Sequence, residues 1–362
     1  MILDVMLNTI SSLGIFFVIY SLLALSLNIE LGYGGISNFG KVAFYAIGAF
    51  TTGALATRIA LWMFGKSFDI ASPINPYVAD PFKLATVNQY ISYITLNKPE
   101  IAMTSYFISM IVAVLLAGLF GLLATYPALR LKIDYLGITL LVFGEIIRNI
   151  GNNYETLVAG PHSMSVPKPF SWLVSLGLPS YLPDLIFFIL GLALLYIVYI
   201  LLGKMLNSPY GRSLKAMRDD ELAAMSLGKD LAKLKAQALV IGSAIAGLAG
   251  SLYVGYTGSI SAGEYIPFIT FIVWTMVLMG GSGNNLGSLV GAAVWVGIDR
   301  SLRLIKDLIP SLPFATDYLR YMLTGVIIVS IILYRPNGLI PEREVKTPAW
   351  TVLRVSSSDK SS

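Results

Sequence analysis

The sequence predicts an all-α fold, a polytopic membrane protein of about eight to ten transmembrane helices. Three observations predict it. Apolar residues make up 56% of the 362 and charged residues only 12%, about half the roughly 25% charge of a soluble domain. Mean hydropathy is +0.74. The apolar residues also come in unbroken runs: positions 7–27, 101–129, 185–203 and 236–263 hold no charged side chain. Roughly 20 helical residues cross a hydrocarbon core. Runs of this length fit helices, not the short alternating segments of an outer-membrane barrel.

Nine apolar segments follow in order: 7–27, 40–62, 101–129, 133–151, 183–206, 235–256, 266–281, 286–306 and 318–335. Asp4 is the only charge before the first run, so the positive n-region of a signal peptide is missing, and the run reads as the first membrane helix. Segment 266–281 is short and runs into GGSGNNLGS, residues 280–288. It and 286–306 read either as two spans joined by a tight loop or as two half-helices around a break. Residues 32–40, which include Asn38, and 280–288 are both rich in Gly, Ser and Asn. Each reads equally as a broken helix that presents backbone groups to a substrate or as an ordinary tight loop.

Basic residues set the orientation. Lys204, Arg212, Lys215, Arg218, Lys229, Lys233 and Lys235 crowd one loop. Arg335, Arg343, Lys346, Arg354 and Lys360 mark the C-terminal tail, and Arg130 and Lys132 sit in a turn. The positive-inside rule places all three in the cytoplasm. Nine spans with the N-terminus outside satisfy this. Arg300, Arg303 and Lys306 fall at an outer end and argue against it, partly offset by Asp299 and Asp307. The expected organisation is a membrane domain over 1–340, with a polar extracytoplasmic loop at 64–100 and a charged cytoplasmic loop at 207–234. A disordered cytoplasmic tail is expected over 341–362.

Composition excludes several chemistries. The chain has no Cys and a single His, His162, in a Pro-containing loop, where it is expected to be exposed. Disulfides, thiolate metal sites and paired-His sites are therefore ruled out, and no metal or cofactor is expected. No catalytic cluster or paired-carboxylate motif is present. Gly65-Lys66-Ser67 looks like the end of a phosphate loop, but position 60 is Ala and the segment follows an apolar run rather than a strand. The net charge of +5 fits loops that face anionic membrane lipid, not nucleic acid.

The charged loop contains DDELAAMSLGKD, residues 219–230. Ser208 and Pro209 form a helix start, with an N-cap and a first-turn Pro. One helix is expected from there to Leu227, closed by Gly228 as a C-cap. Asp230 is expected to cap the next helix. Tyr210, Leu214, Met217 and Met225 share a face with Glu221 in its middle. Arg218, three residues earlier, is the expected partner for that acid. The face rests either on the protein's own helices and lipid headgroups or in a groove of a partner protein.

Here the residues carry a resemblance. Glu221-Leu-Ala223-Ala224-Met-Ser-Leu-Gly228 is similar to the cytoplasmic EAA loop of ABC-importer permeases. The stretch YGRSLKAMRDDELAAMSLGKDLAKLKAQALVIGSAIAGLAGSLY, residues 210–253, resembles LivM-type permeases of branched-chain amino-acid importers. Segments 27–50, 135–164 and 277–294 resemble the same family in the same order. Lys41 departs from it, standing where the family often has His, and the 64–100 segment is long. The resemblance implies a permease subunit in the cell membrane, paired with a related LivH-type permease. Two cytoplasmic ABC ATPase subunits and an extracytoplasmic substrate-binding protein complete the system. It places Glu221, Ala223, Ala224 and Gly228, with Leu214 and Met217, on the ATPase-coupling loop. An ion-coupled secondary transporter is the alternative, with Glu145 its main mid-span acid; a membrane enzyme lacks residues for catalysis.

Within the spans, Glu145 and Arg148 lie three apart on one helical face. Such groups in a membrane span pair or face a cavity. They form either an internal ion pair or, with Asn38, part of a substrate pathway that recognises a zwitterion. Gly242, Ala246 and Gly250, and Gly283, Gly287 and Gly291, are spaced four apart, which lets membrane helices approach closely. That close approach lies either within the subunit or at the seam with its partner. Lys41 and Arg58 bracket an uncharged stretch and are expected to snorkel to the interfaces.

Overall fold

All nine apolar segments form helices. The computed structural model describes residues 2–131, 133–308 and 316–342. Lys132 and the tail from Arg343 lie outside it, as do the side chains of Arg303, Lys306 and Asp307. The nine segments correspond to α1 (Ile2–Leu27), α2 (Lys41–Met63), α4 (Pro99–Arg130), α5 (Ile133–Asn153), α8 (Tyr181–Leu206), α11 (Leu231–Thr257), α12 (Phe268–Gly280), α13 (Asn285–Leu308) and α14 (Thr316–Tyr334). Between them lie α3 (Pro81–Asn97), α6 (Glu155–Val158), α7 (Trp172–Ser175), α9 (Pro209–Asp219) and α10 (Glu221–Ser226). Among the described residues, five helices are long and apolar enough to cross a membrane: α1 with its continuation to Tyr33, α2, α4, α8 and α11.

The nine helices alternate in direction between two ends. At one end Ala79 N donates to Glu155 Oε2 (2.6 Å), Ser165 N to Asn88 Oδ1 (2.8 Å) and Ala262 N to Gly160 O (3.1 Å). Strands β1 (Met164–Ser165) and β2 (Ser259–Ile260) pair there. At the other end Gly283 N donates to Asn28 Oδ1 (2.9 Å) and Ile340 N to Gly280 O (2.9 Å). The 64–100 segment, expected as a polar loop, contains the 17-residue α3. Asp80 caps that helix by accepting from Phe82 N, and Pro81 supplies the first turn. Lys83 bonds Asp69 at 2.7 Å, and this hydrogen bond holds the Asp69 carboxyl below the usual range.

Helix α11 is the hub and packs on α1, α2 and α4. Small residues make this possible. A Cβ on Gly250 would stand 2.1 Å from Tyr45 O, so α2 and α11 touch backbone to backbone. The α12–α13 pair is a hairpin of the same kind, since a Cβ on Gly291 would lie 1.9 Å from Met276 O. The small-residue series therefore pack within the subunit. Gly283 instead sits in the hairpin turn, with φ +77°. On the outside, α4 exposes Leu115, Leu119 and Leu122, and α8 exposes Ile189, Tyr196 and Leu201. These faces suit lipid.

Two non-α-helical stretches adjoin α2 and α12. After α1 the chain passes through a π-helix, Asn28–Tyr33, and then irregular backbone to Gly40. The second stretch precedes α12, whose 13 residues rise only about 20 Å of the roughly 30 Å needed. Residues 258–267 lead into it as short turns, with Tyr265 fully buried against Tyr45, Phe50 and Tyr253. Non-helical backbone at such depth is tolerated where protein buries it.

Lys41 does not snorkel. It is fully buried, 0% exposed, and its Nζ lies 2.7 Å from Glu30 Oε1, itself 0% exposed. Asn38 Nδ2 holds the other carboxylate oxygen at 2.9 Å. Glu30 lies on the π-helix, and the chain doubles back through Gly34 and Gly35 to bring Lys41 beside it. The reading from spacing alone had no partner for Lys41, because the pair exists only once the chain reverses. Arg58 is half-buried and donates to Thr156 O (2.6 Å) and Leu157 O (3.2 Å) on α6.

Removing one partner of a buried pair leaves an uncompensated charge, a loss of about 3–5 kcal/mol. Lys41→Met is therefore expected to lower the thermal transition of the detergent-purified chain sharply, while Lys41→Met with Glu30→Leu recovers most of it. A single variant as stable as wild type would show that the pair does not stabilise the fold.

Candidate functional site

The charged loop forms two helices, not one. Ser208 Oγ accepts from Tyr210 N at 3.2 Å and Pro209 opens α9. The helix then stops at Asp220, whose backbone is extended (φ −157°, ψ 111°) and whose side chain accepts from Leu222 N and Ala223 N to start α10. An aspartate in this position competes with the helix it interrupts by capping the next one. Gly228 follows with φ +74°, in the left-handed region expected of a helix-ending glycine. Asp230 caps α11 through Lys233 N at 3.0 Å.

The break rotates α10 relative to α9 and divides the shared apolar face. Leu214 and Met217 on α9 are buried, 0% and 1% exposed, with the half-buried Tyr210 beside them. They seat α9 on the chain's own helices, so they are not available to a partner. Ala224 is buried as well, whereas Glu221, Ala223 and Gly228 are exposed. Leu222 (75%), Met225 (57%) and Leu227 (77%) stand out from the surface. The reading from spacing missed Leu222 and Leu227, because an uninterrupted helix puts them on another face.

Charge pairing also differs from expectation. Glu221 pairs with Lys235, 2.8 Å away on α11, and not with Arg218. Arg218 points the other way. Its Nη1 donates to Gly32 O (2.6 Å) and to Glu342 Oε2 (2.7 Å), and its Nε to Asp219 (3.1 Å). Partial burial works against the guanidinium charge, but Glu342 and Asp219 outweigh it and hold its pKa above the ordinary arginine value.

The two Gly-, Ser- and Asn-rich segments meet: the first is irregular backbone between α1 and α2, the second the tight turn of the α12–α13 hairpin. Asn28 Nδ2 donates to Asn285 Oδ1 at 3.0 Å while Asn28 Oδ1 accepts from Gly283 N. A Cβ on Gly32 would lie 2.4 Å from Gly283 N. The site is thus a polar junction at one end of the domain, formed by the π-helix, the α12–α13 turn and α9. Asn28, Glu30 and Glu342 were not singled out from spacing. Glu30 carried a signal, as an acid directly after a long apolar run.

Asn38 is buried: besides the Nδ2 bond to Glu30, its Oδ1 accepts from Gly40 N (2.9 Å) and its carbonyl from Trp274 Nε1 (3.1 Å). It shares no hydrogen bond with Glu145 or Arg148, which form an ion pair of their own on α5. That pair is half-buried and flanks an exposed stripe of Tyr135, Ile138, Val142, Ile146 and Ile150. His162 is exposed, as expected. Among the described residues no group of His, Cys, Asp and Glu is placed to hold a metal.

The family model described as the permease component of the branched-chain amino acid transport system matches residues 9–332. A probable branched-chain amino acid transport permease protein LivM of Methanocaldococcus jannaschii is 32% identical over 94% of this chain and 96% of its own length. The LivM protein of the high-affinity branched-chain amino acid system of Escherichia coli is 28% identical over 89% of this chain and 68% of its own. A LivH permease of Salmonella typhimurium is 26% identical over 54% of this chain and 61% of its own length. No solved structure matches. With its helical membrane domain and capped, two-helix charged loop, the chain belongs to the family of permease components of branched-chain amino acid transport systems and is of the LivM type.

Proposed function

We propose that this chain is one half of the translocation pathway of an ABC importer for branched-chain or related amino acids in the cell membrane. A LivH-type permease supplies the other half. Two ABC ATPase subunits dock on the α9–α10 loop, and an extracytoplasmic binding protein delivers the substrate. The loop-bearing end is cytoplasmic by the positive-inside rule, which leaves α3 and the β1–β2 pair outside. One observation carries the reading: α10 holds Leu222, Met225 and Leu227 exposed on a capped, rigid turn, while α9 is anchored beneath it by Leu214 and Met217. An apolar face presented in this way is a helix-in-groove ligand. Glu221, Ala223 and Gly228 frame that face. ATP-driven closure of the ATPase pair moves α9 and α10, and α9 levers the membrane helices between outward- and inward-open states.

The pathway runs along the exposed face of α5. A charged pair, with Asn149 and Asn153 close by, is costly against lipid; this face suits a wet seam between two permeases. A carrier driven by an ion gradient finds less support. Its candidate acid, Glu145, is already neutralised by Arg148.

Leu222→Asp with Leu227→Asp is expected to leave the permease in the membrane but to cut co-purification of the ATPase subunits about tenfold or more. Undiminished recovery would remove α10 as the docking face. The second prediction concerns α5. Exchanging the pair, Glu145→Arg with Arg148→Glu, is expected to keep the chain folded yet lower uptake in reconstituted vesicles about tenfold. Full transport by the exchanged pair would make it a packing element only.

A further inference from the structure

The chain beyond α14 lies outside the residues matched by the family model, which end at 332, yet it is bound into the junction. Gly338 N donates to Arg335 O at 2.9 Å, and Gly338 turns with φ +72°. Leu339 N and Ile340 N then donate to Met279 O (2.8 Å) and Gly280 O (2.9 Å), the last carbonyls of α12. Asn284 Nδ2 holds Pro341 O at 3.1 Å. These backbone bonds fasten residues 335–342 across the α12–α13 turn as a strap. At its end, Glu342 reaches α9: Oε1 is 2.5 Å from Lys215 Nζ and Oε2 is 2.7 Å from Arg218 Nη1. Arg218 and Lys215 are one helical turn apart, so a single carboxylate grips successive turns of α9. The same Arg218 nitrogen bonds Gly32 O on the π-helix, and Lys215 stands over the Tyr33 ring at 5.2 Å.

We propose that Glu342 is a positioning residue for transport, which makes α9, the π-helix after α1 and the α12–α13 turn move as one body. This rests on the reading of α9–α10 as the ATPase-docking loop. The physical basis is a division of labour. The strap's hold on α12 is main-chain hydrogen bonding and does not depend on the Glu342 side chain. Its hold on α9 is ionic and passes through that side chain alone. Loss of the carboxylate therefore removes the direct tie between α9 and the strap without detaching the strap, and leaves α9 joined to the hairpin only by way of Gly32 on the π-helix. The exposed α10 face is untouched, so docking survives while the motion it starts no longer reaches the hairpin directly.

The test uses the whole transporter in vesicles. Glu342→Gln and the double variant Lys215→Cys with Glu342→Cys are compared with wild type; the natural chain has no Cys, so the permease carries only the new pair of thiols. Both variants are expected to retain the ATPase subunits at wild-type stoichiometry. In both, the ratio of ATP hydrolysis with and without loaded binding protein falls at least about fivefold, and uptake falls with it. A short thiol-to-thiol crosslinker joining the two introduced thiols of the double variant restores the ratio to within about twofold of wild type. A structural role alone would not give rescue by a covalent bridge. Coupling in Glu342→Gln within about twofold of wild type, loss of the ATPase subunits from either variant, or a bridged pair that stays uncoupled would each overturn the proposal. A wild-type chain that recruits no ATPase subunit would instead fail the docking reading on which it rests.

Discussion

The structure depends on a charge pair with no access to water. Glu30 and Lys41 are both completely buried, and neither would be tolerated there alone. To bring them together the first helix must widen into a π-turn, reverse through residues 34–40 and start α2 with Lys41 already inside the protein. Gly242 on α11 makes room for the carboxylate: a Cβ there would stand 2.1 Å from Glu30 Oε1. The ion pair, the break and the glycine on the central helix are one arrangement. π-Turns of this kind are frequent at functional sites, and here the turn carries the atoms to which α9 is tied.

The rest of the loop-bearing end is built outward from that break. Asn28 uses both halves of its amide to hold the α12–α13 turn, and Gly32 offers its carbonyl to Arg218. Breaks at membrane depth leave backbone groups without helical partners, and each must find one in protein. The π-helix and the α12–α13 turn satisfy each other through Asn28, Gly283 and Asn285, which places them in contact. A helix pushed at α9 thus meets a polar joint that leads directly to α1, α12 and α13. Helices α4 and α8 carry much of the exposed apolar surface, and α8 runs directly into α9.

The family tie and the geometry do different work. Similarity over nearly the whole chain says what kind of protein this is. It does not say which side chains are free to act. Leu214 and Met217 are buried beneath α9, whereas Leu222 and Leu227, one helix later, stand exposed. The difference arises from one residue, Asp220, which ends α9 and caps α10 with the same side chain.

Some of this protein was determined by sequence alone. The helical membrane class followed from the four long uncharged runs, because a hydrocarbon core sets a minimum apolar length. The caps at Ser208, Gly228 and Asp230 followed from local chemistry that acts within four residues. The exposure of His162 followed from its loop. What only the tertiary structure decided were the partners: Lys41 with Glu30, Glu221 with Lys235, Arg218 with Gly32 and Glu342. The ion-pair partner of Glu221 lies 14 positions away; Arg218 pairs with its neighbour Asp219 but also with Glu342, 124 away, and Gly32 lies 186 from it. No periodicity encodes such distances. They are set by which helix ends the bundle gathers together, and burial then requires each charge brought there to find an opposite one.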